Sequence, residues 1–508
     1  MGLLGLLIVL ILTATPAWAA NWYVRAAATG SADGSDWTNA FTCPPSSGNY
    51  IRGDTIWVAV GNYQSCATWN LDKAASGTTL VTIQSPTVSA HGTEAGWDNS
   101  YVGQAVLREI VFTTSHWVLD GITGGSPSAW KTGFGIKIKA TTLGSIVRVQ
   151  EGDNITLQHV EIEGRGTSCT DGNRLIHTSA TGTVTNFTLR YAYLHDVCGV
   201  PIFTRSADGM LFEYVWVARN KSTSTSHAEG ISAVGTNNVT VRYTIWEDIE
   251  GTCSICFEAT GWKLYGNVFF FTPTYIANGG AGPDSTPGTG NGSIATWTGS
   301  AVTNSVVYNN TFINYDIGIS SRIYFDPAGA SGNEARNNIW VTSANSANHQ
   351  GATLSHNSYW DTPSTDSGTG SETGLTGDPL VNWVGENFQL VGATTAGITL
   401  DAPYNTDPNG QIRGADGVWD RGAYEFTAGN TTGVMFRGLV EFIGLIFNLA
   451  ALGWIVGRLT HGRILWGIVA LSQYGYAAWT MDRDHVFSRT YLWARIRSLA
   501  GREKTSRA

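Results

Sequence analysis

A set of charged residues in the middle of the chain could do chemistry together: His195, Asp196, Arg219, Lys221, His227, Glu229, Glu247 and Asp248. Two reactions use these residue types. Hydrolysis of a glycosidic bond needs a carboxylic acid and a carboxylate across a sugar. If Asp196 and Asp248 stand two turns of a coil apart, their separation is about 10 Å by strand spacing, near the upper end for an inverting pair. Elimination from a uronic acid needs a cation to neutralise the substrate carboxylate and a base for the α-proton. Arg219 or Lys221 could serve as either, with Asp196 and Asp248 holding Ca²⁺. The candidate catalytic residues are therefore Asp196, Arg219, Asp248, His227 and Glu229, and the candidate substrate-binding residues are His195, Lys221 and Glu247. A structural reading stands beside both reactions: Asp196, Arg219 and Asp248 could form a salt-bridge ladder that offsets charge along stacked turns. The His195–Asp196 pair has no Gly-x-Ser-x-Gly nucleophile turn to accompany it.

These residues are positioned by repeated segments. Asn154–Glu163, Asn186–His195, Met210–Ala218 and Asn238–Glu247 are alike, rich in β-branched and aromatic residues that largely alternate apolar and polar. Their starts lie 24 to 32 residues apart, a period that predicts a solenoid in which each turn buries its apolar face against its neighbours. Setting Leu157, Leu189, Phe212 and Val241 level puts Gly164, Asp196, Arg219 and Asp248 in one column. Glu163, His195, Ala218 and Glu247 run beside it. A second set of strands aligns Leu175–His177, Ile202–Thr204 and Gly230–Ser232. Earlier strand candidates are Leu80–Ile83, Val106–Phe112, His116–Leu119 and Ile146–Val149, and later turns continue to Thr353–Trp360. Asn267, Asn310, Asn338 and Asn357 fall at one position of those later turns and should stack as an internal amide ladder. Residues 277 to 292, rich in Gly, Pro, Ser and Thr, read as a protruding loop.

Composition agrees with an all-β chain. Gly is frequent (61 of 508 residues), Pro is sparse (14), and charged residues make up only 14%. From Gly433 onward ten Arg and Lys face four Asp and Glu, so the tail carries +6 and the rest of the chain −15. An acidic body with a basic, apolar tail does not suit nucleic-acid binding. The cysteines pair by proximity as Cys43–Cys66, Cys169–Cys198 and Cys253–Cys256 in an exported chain. Trp is abundant (20), and exposed Trp could offer stacking faces to sugars.

The opening Tyr23-Val24, Trp37, Ala40-Phe41 and Gly53–Tyr63 resembles the N-terminal cap of secreted right-handed parallel β-helix proteins of the pectate-lyase-like class. The closing Asp420-Arg-Gly-Ala-Tyr-Glu-Phe426 resembles the ending of choice-of-anchor Q proteins, with Arg421 where that family has Ile. His227-Ala-Glu-Gly-Ile231 resembles a turn common in this fold class. The resemblance spans about residues 21–426. It implies a mid-coil groove that holds an extended polysaccharide, and a surface anchor after the coil.

The expected architecture is thus all-β, a right-handed parallel β-helix over 20–430, preceded by a signal peptide (1–19) ending Ala17-Trp18-Ala19 and followed by a membrane anchor (431–508). Apolar runs at 439–457 and 464–481 are just long enough to span a bilayer, and the connector Arg458–Arg463 is short and basic. The β-helix would lie on the extracytoplasmic side of the cell membrane. Its expected partners are the membrane and a polysaccharide or cell-surface glycan, through lyase or hydrolase action or as a non-catalytic stalk or adhesin. Ca²⁺ is implied only if the protein is a lyase.

Overall fold

The structure is a computed structural model. It describes residues 19–427 apart from 142–143, 167–172, 179–181, 222–227, 278–291, 298, 316–320 and 344–346. Contacts divide the chain into Met1–Thr431 and Thr432–Ala508, and the second unit lies wholly outside the described residues. Residues 1–18 of the expected signal segment (1–19), residues 278–291 of the expected loop (277–292), His227, Cys169 and both expected membrane helices also fall outside them. Among the described residues no helix is long and apolar enough to cross a membrane.

Strands of successive turns pair in parallel, and each turn contributes to two sheets. A 22-stranded sheet folds around two sides of the coil, and a nine-stranded sheet closes the third. The two arms of the large sheet merge in three long strands, Gly152–Glu163, Val184–Cys198 and Leu211–Lys221. These strands bend at residues with left-handed backbone: His159, Tyr191 and Tyr214 at one corner, Asp196 and Arg219 at the next. Asp248 takes the same conformation one turn on, with φ 52°. Such a backbone costs a non-glycine residue roughly 1–3 kcal/mol, and here it turns the chain through a corner within one residue.

The register follows the hydrophobic pattern. Leu157, Leu189, Phe212 and Val241 stand level, as do Glu163, His195, Ala218 and Glu247. Their apolar neighbours Ile162, Leu194, Val217 and Trp246 point inward and are fully or almost fully buried. In the second sheet the expected alignment is one residue out. Ile176, not Leu175, pairs with Ile202, and Ile202 pairs with Ile231. Leu175 and Ile176 are both buried, so alternation could not choose between them. Ile136–Lys139 forms a further strand with regular alternation, beyond those expected from the sequence.

Inside, the asparagine ladder forms as expected. Nδ2 of Asn267 donates to Oδ1 of Asn310 at 2.9 Å, Asn310 to Asn338 at 3.0 Å and Asn338 to Asn357 at 3.0 Å. Each Oδ1 also accepts the backbone N–H of the asparagine before it in the ladder. Disulfides join Cys43 to Cys66 and Cys253 to Cys256, and Cys198 is disulfide-bonded.

After the last turn, Leu380–Asn382 and Asn387–Leu390 form an antiparallel pair. Phe388 packs against Trp216 and Phe270 on the outer face of the large sheet, in a second apolar layer with Tyr193, Ile245 and Val268. The chain then doubles back. Arg421 is buried, donates to Ser358 Oγ at 2.9 Å and pairs with Glu372 at 2.9 Å. Arg421 thus clamps the returning segment to the coil.

Candidate functional site

The corner after the second arm of the large sheet carries most of the expected site. Its strands are held by three long parallel pairings, so side chains at the corner stand on rigid, adjacent turns. Alternation points every second residue outward. One outward column reads Lys137, Glu161, Tyr193, Trp216, and the next reads Lys139, Glu163, His195, Ala218, Glu247.

His195, Asp196 and Arg219 touch. Arg219 donates from Nε to Asp196 Oδ1 at 2.7 Å, from Nη2 to Oδ2 at 2.9 Å and from Nη1 to the Tyr193 hydroxyl at 2.8 Å. His195 bonds Asp196 through Nδ1 at 2.6 Å and Glu161 through Nε2 at 3.0 Å. Burial works to hold the imidazole neutral, but the two carboxylates prevail and raise its pKa. Burial also opposes ionisation of Asp196, yet Arg219 and His195 bring its carboxyl far below the ordinary range. Arg219 is raised, chiefly by its bonds to Asp196, and is a fixed cation rather than a base.

Asp248 behaves in the opposite way. It is 6% exposed and accepts Thr272 N–H at 2.7 Å and Thr272 Oγ1–H at 2.8 Å. Burial pushes its carboxyl up to about 7, against these bonds and the lowering influence of Arg219. Glu247 accepts the Trp216 indole N–H at 2.7 Å and lies 3.7 Å from Lys131 Nζ. The structural ladder is therefore half formed: Arg219 grips Asp196, while Asp248 is bonded to Thr272.

The remaining described candidates, Glu229 and Lys221, make no contact with Asp196, Arg219 or Asp248. Glu229 is buried in the turn before the second sheet, accepting Thr252 Oγ1–H at 2.9 Å. Lys221 is exposed at the far end of its strand, level with Cys198.

Sequence reasoning missed the charged rows that continue the corner upstream. Lys137 pairs with Glu161 at 2.7 Å and also contacts Glu163, and Lys139 pairs with Glu163 at 2.7 Å. Burial resists the ionisation of Glu161, but His195, Lys137 and Gln104 bring it down to about 2. Gln104, bonded to Glu161 at 2.9 Å, also lines a cleft of about 390 Å³ with Thr87, Val102, Thr123 and Phe134. The signal was present: Ile136-Lys-Ile-Lys139 and Val160-Glu-Ile-Glu163 alternate in step, and opposite charges meet across the pairing.

Glu161, Glu163 and His195 place one ligand atom each within 4.8 Å of one another, a spacing that could hold a metal ion. The Lys137 ammonium already bonds both glutamates, and the Gln104 amide and the raised His195 supply further donors to Glu161. A resident Ca²⁺ does not fit this set while Lys137 occupies it.

No family model and no curated protein matches the sequence. Several solved structures do. Pectate lyase Pel9A matches at 13% identity and a TM-score of 0.39, over 81% of this chain and 97% of its own. A mutant of the PL6 family alginate lyase AlyGC matches at 12% identity and a TM-score of 0.39, over 76% of this chain; the match spans only 59% of AlyGC. The GH136 lacto-N-biosidase from Eubacterium ramulus matches at 10% identity and a TM-score of 0.27, over 70% of this chain and 67% of its own.

Proposed function

We propose that the chain is an extracytoplasmic β-helix protein that acts on a polysaccharide, held at the cell membrane by its C-terminal segments, with the corner of Asp196, Arg219 and Asp248 as its working site. The observation that carries this reading is the opposite displacement of two carboxyls in one column. Asp196 is held ionised by Arg219 and His195, and Asp248 is held near neutrality by burial. Environments that drive two carboxyls apart separate an acid from a carboxylate. Asp248 is the proton donor to a leaving sugar oxygen. Asp196 supplies negative charge to an oxocarbenium-like transition state and Arg219 fixes its position; water then adds to the anomeric carbon and its proton returns to the ionised Asp248, which restores the acid. Hydrolysis is favoured over elimination because the corner's cations are paired: Arg219 with Asp196, Lys137 and Lys139 with glutamates.

The test incubates the full-length chain with acidic and neutral polysaccharides and follows reducing ends and ultraviolet absorbance together. Reducing ends without absorbance, lost in Asp248→Asn, are the expected result. Absorbance that disappears in Arg219→Ala would assign elimination instead.

A second reading, a non-catalytic surface stalk or adhesin, is favoured by the same pairing of charges and by the C-terminal return that covers the outer face around Trp216 and Phe270. Silence in both assays with retained glycan binding would select it.

A further inference from the structure

The two outward columns beside the corner are open at one end and covered at the other. Val106, Lys137, Glu161, Tyr193, Trp216 and Ile245 stand level on successive turns. The first three are half-buried, whereas Trp216 and Ile245 are almost fully buried. The second column starts at Lys139 and Glu163, both half-buried, and passes through His195 and Glu247 to Phe270, which is almost fully buried.

Two segments from distant parts of the chain make the cover. Phe388, in the antiparallel pair after the last turn, lies 6.4 Å from the Trp216 ring and 5.0 Å from the Phe270 ring. Trp130, in the loop 121–135, meets Trp216 at 6.0 Å, and Lys131 Nζ sits 4.3 Å over the same ring. The two segments are joined to each other, because Lys131 Nζ pairs with Glu386 at 2.5 Å across 255 residues of sequence. The ammonium also lies 3.7 Å from Glu247, the residue before Asp248. The wall thus begins on the turn of Arg219, passes beside Asp248 and reaches the turn after it.

We propose that this wall restricts the protein to the ends of polymer chains, and that the Lys131–Glu386 pair is the clasp that holds it shut. This assignment rests on the corner being the working site proposed above. A polymer laid over the open columns from Lys137 towards Asp248 meets Trp130 and Phe388 and cannot continue along the coil. Only a chain terminus reaches Asp248, so the products are short saccharides. Specificity for ends therefore lies in Lys131, Glu386 and Phe388, none of which touches the reacting atoms. The clasp is easily undone. Its side chains are 27% and 40% exposed, so water screens the pair, and the cation–π contact with Trp216 and the apolar seat of Phe388 supply the rest of the hold. Once it opens, the columns run on over Ile245 and Phe270, and the interior of a chain can lie across the corner.

The test gives the full-length chain polygalacturonate, xylan and dextran, each as a long and a short size fraction at equal mass, and follows binding, reducing ends and viscosity. Short fractions carry more ends per gram. The polymer that binds should therefore do so at least fivefold more tightly, by mass, as its short fraction. Reducing ends should appear as short saccharides while viscosity barely falls. Glu386→Lys sets a second cation against Lys131; it should abolish the length dependence of binding and raise the viscosity loss per reducing end at least fivefold. Glu386→Asp, which keeps the charge, should behave as the wild type. Phe388→Ala should act as Glu386→Lys does, and Glu386→Lys, at an exposed position, gives the reading alone if Phe388→Ala melts early. Wild-type binding independent of length, or an early collapse of viscosity, would overturn the inference and leave the polysaccharide reading standing. Unchanged products and binding in the folded variants would overturn it equally. Length-dependent binding that is lost in Glu386→Lys, without release of reducing ends from any polymer, would keep the closed groove and remove the catalytic reading. Neither binding nor release with any polymer would overturn both.

Discussion

Arg219 holds Asp196, its neighbour in the preceding turn, edge to edge, with Nε and Nη2 each reaching one carboxylate oxygen. The two residues occupy successive positions of one corner column, both with left-handed backbone. Their side chains remain 40% and 31% exposed, so water screens the pair. Replacing Arg219 with Ala should therefore cost only about 1 kcal/mol in denaturant unfolding. It should also raise the Asp196 carboxyl towards its ordinary value, which carbon NMR of that side chain would read. A loss of many kcal/mol would instead make the pair a main support of the coil.

The asparagine ladder should matter far more. Asn310 is fully buried, accepts the Asn267 N–H and donates to Leu264 C=O. Asn310→Ala leaves these backbone groups buried without partners, at roughly 1–3 kcal/mol each. Chemical denaturation should show a loss of about 3–5 kcal/mol, against less than about 1 kcal/mol for Asn70→Ala at the exposed centre of the strand Trp69–Leu71.

Stability should peak in mild acid. The Asp248 carboxyl is raised to about 7, so between about pH 4 and pH 7 the folded state binds the extra proton and stability falls as pH rises. His195, also raised, adds stability that is present below about pH 6.5 and lost as pH rises through its folded pKa. Glu161, lowered to about 2, acts on the other side: its contribution is present above about pH 4.3 and lost as pH falls towards 2. Asp248→Asn should flatten the neutral limb by on the order of a few kcal/mol. Melting curves from pH 3 to 9 for both proteins would check it.

Lys137 should decide whether the corner responds to calcium. The wild-type chain should show no Ca²⁺-dependent shift in melting temperature from this cluster, because the ammonium bridges Glu161 and Glu163. Lys137→Met removes the cation that bridges the two carboxylates, leaving Lys139 on Glu163 and Gln104 and His195 on Glu161, and should create a weak site, seen as a Ca²⁺-dependent rise in melting temperature and a titratable heat. An equal Ca²⁺ response in both proteins would place the ion elsewhere.

Much of this was legible in the sequence because strand alternation has a period of two and the interior tolerates no slip. Leu157, Leu189, Phe212 and Val241 set the register, and the corner column with Asp196, Arg219 and Asp248 followed from it. The asparagine ladder was legible for the same reason, as a buried amide needs the next amide. Consecutive buried residues such as Leu175 and Ile176 hid the register of the second sheet. Protonation was not legible either. Asp196 and Asp248 look alike in the chain, and only burial and the choice of partner, Arg219 or Thr272, drive them apart. The covering of Trp216 by Phe388 joins positions too distant in sequence for any local pattern to show.

The most direct test of the central claim is the pH dependence of reducing-end release by the full-length chain from the best polymer of the panel. If Asp248 is the proton donor, release should decline as pH rises through about 7 and should vanish in Asp248→Asn while polymer binding persists. Release that continues in Asp248→Asn, or the absence of release at every pH, would contradict the account.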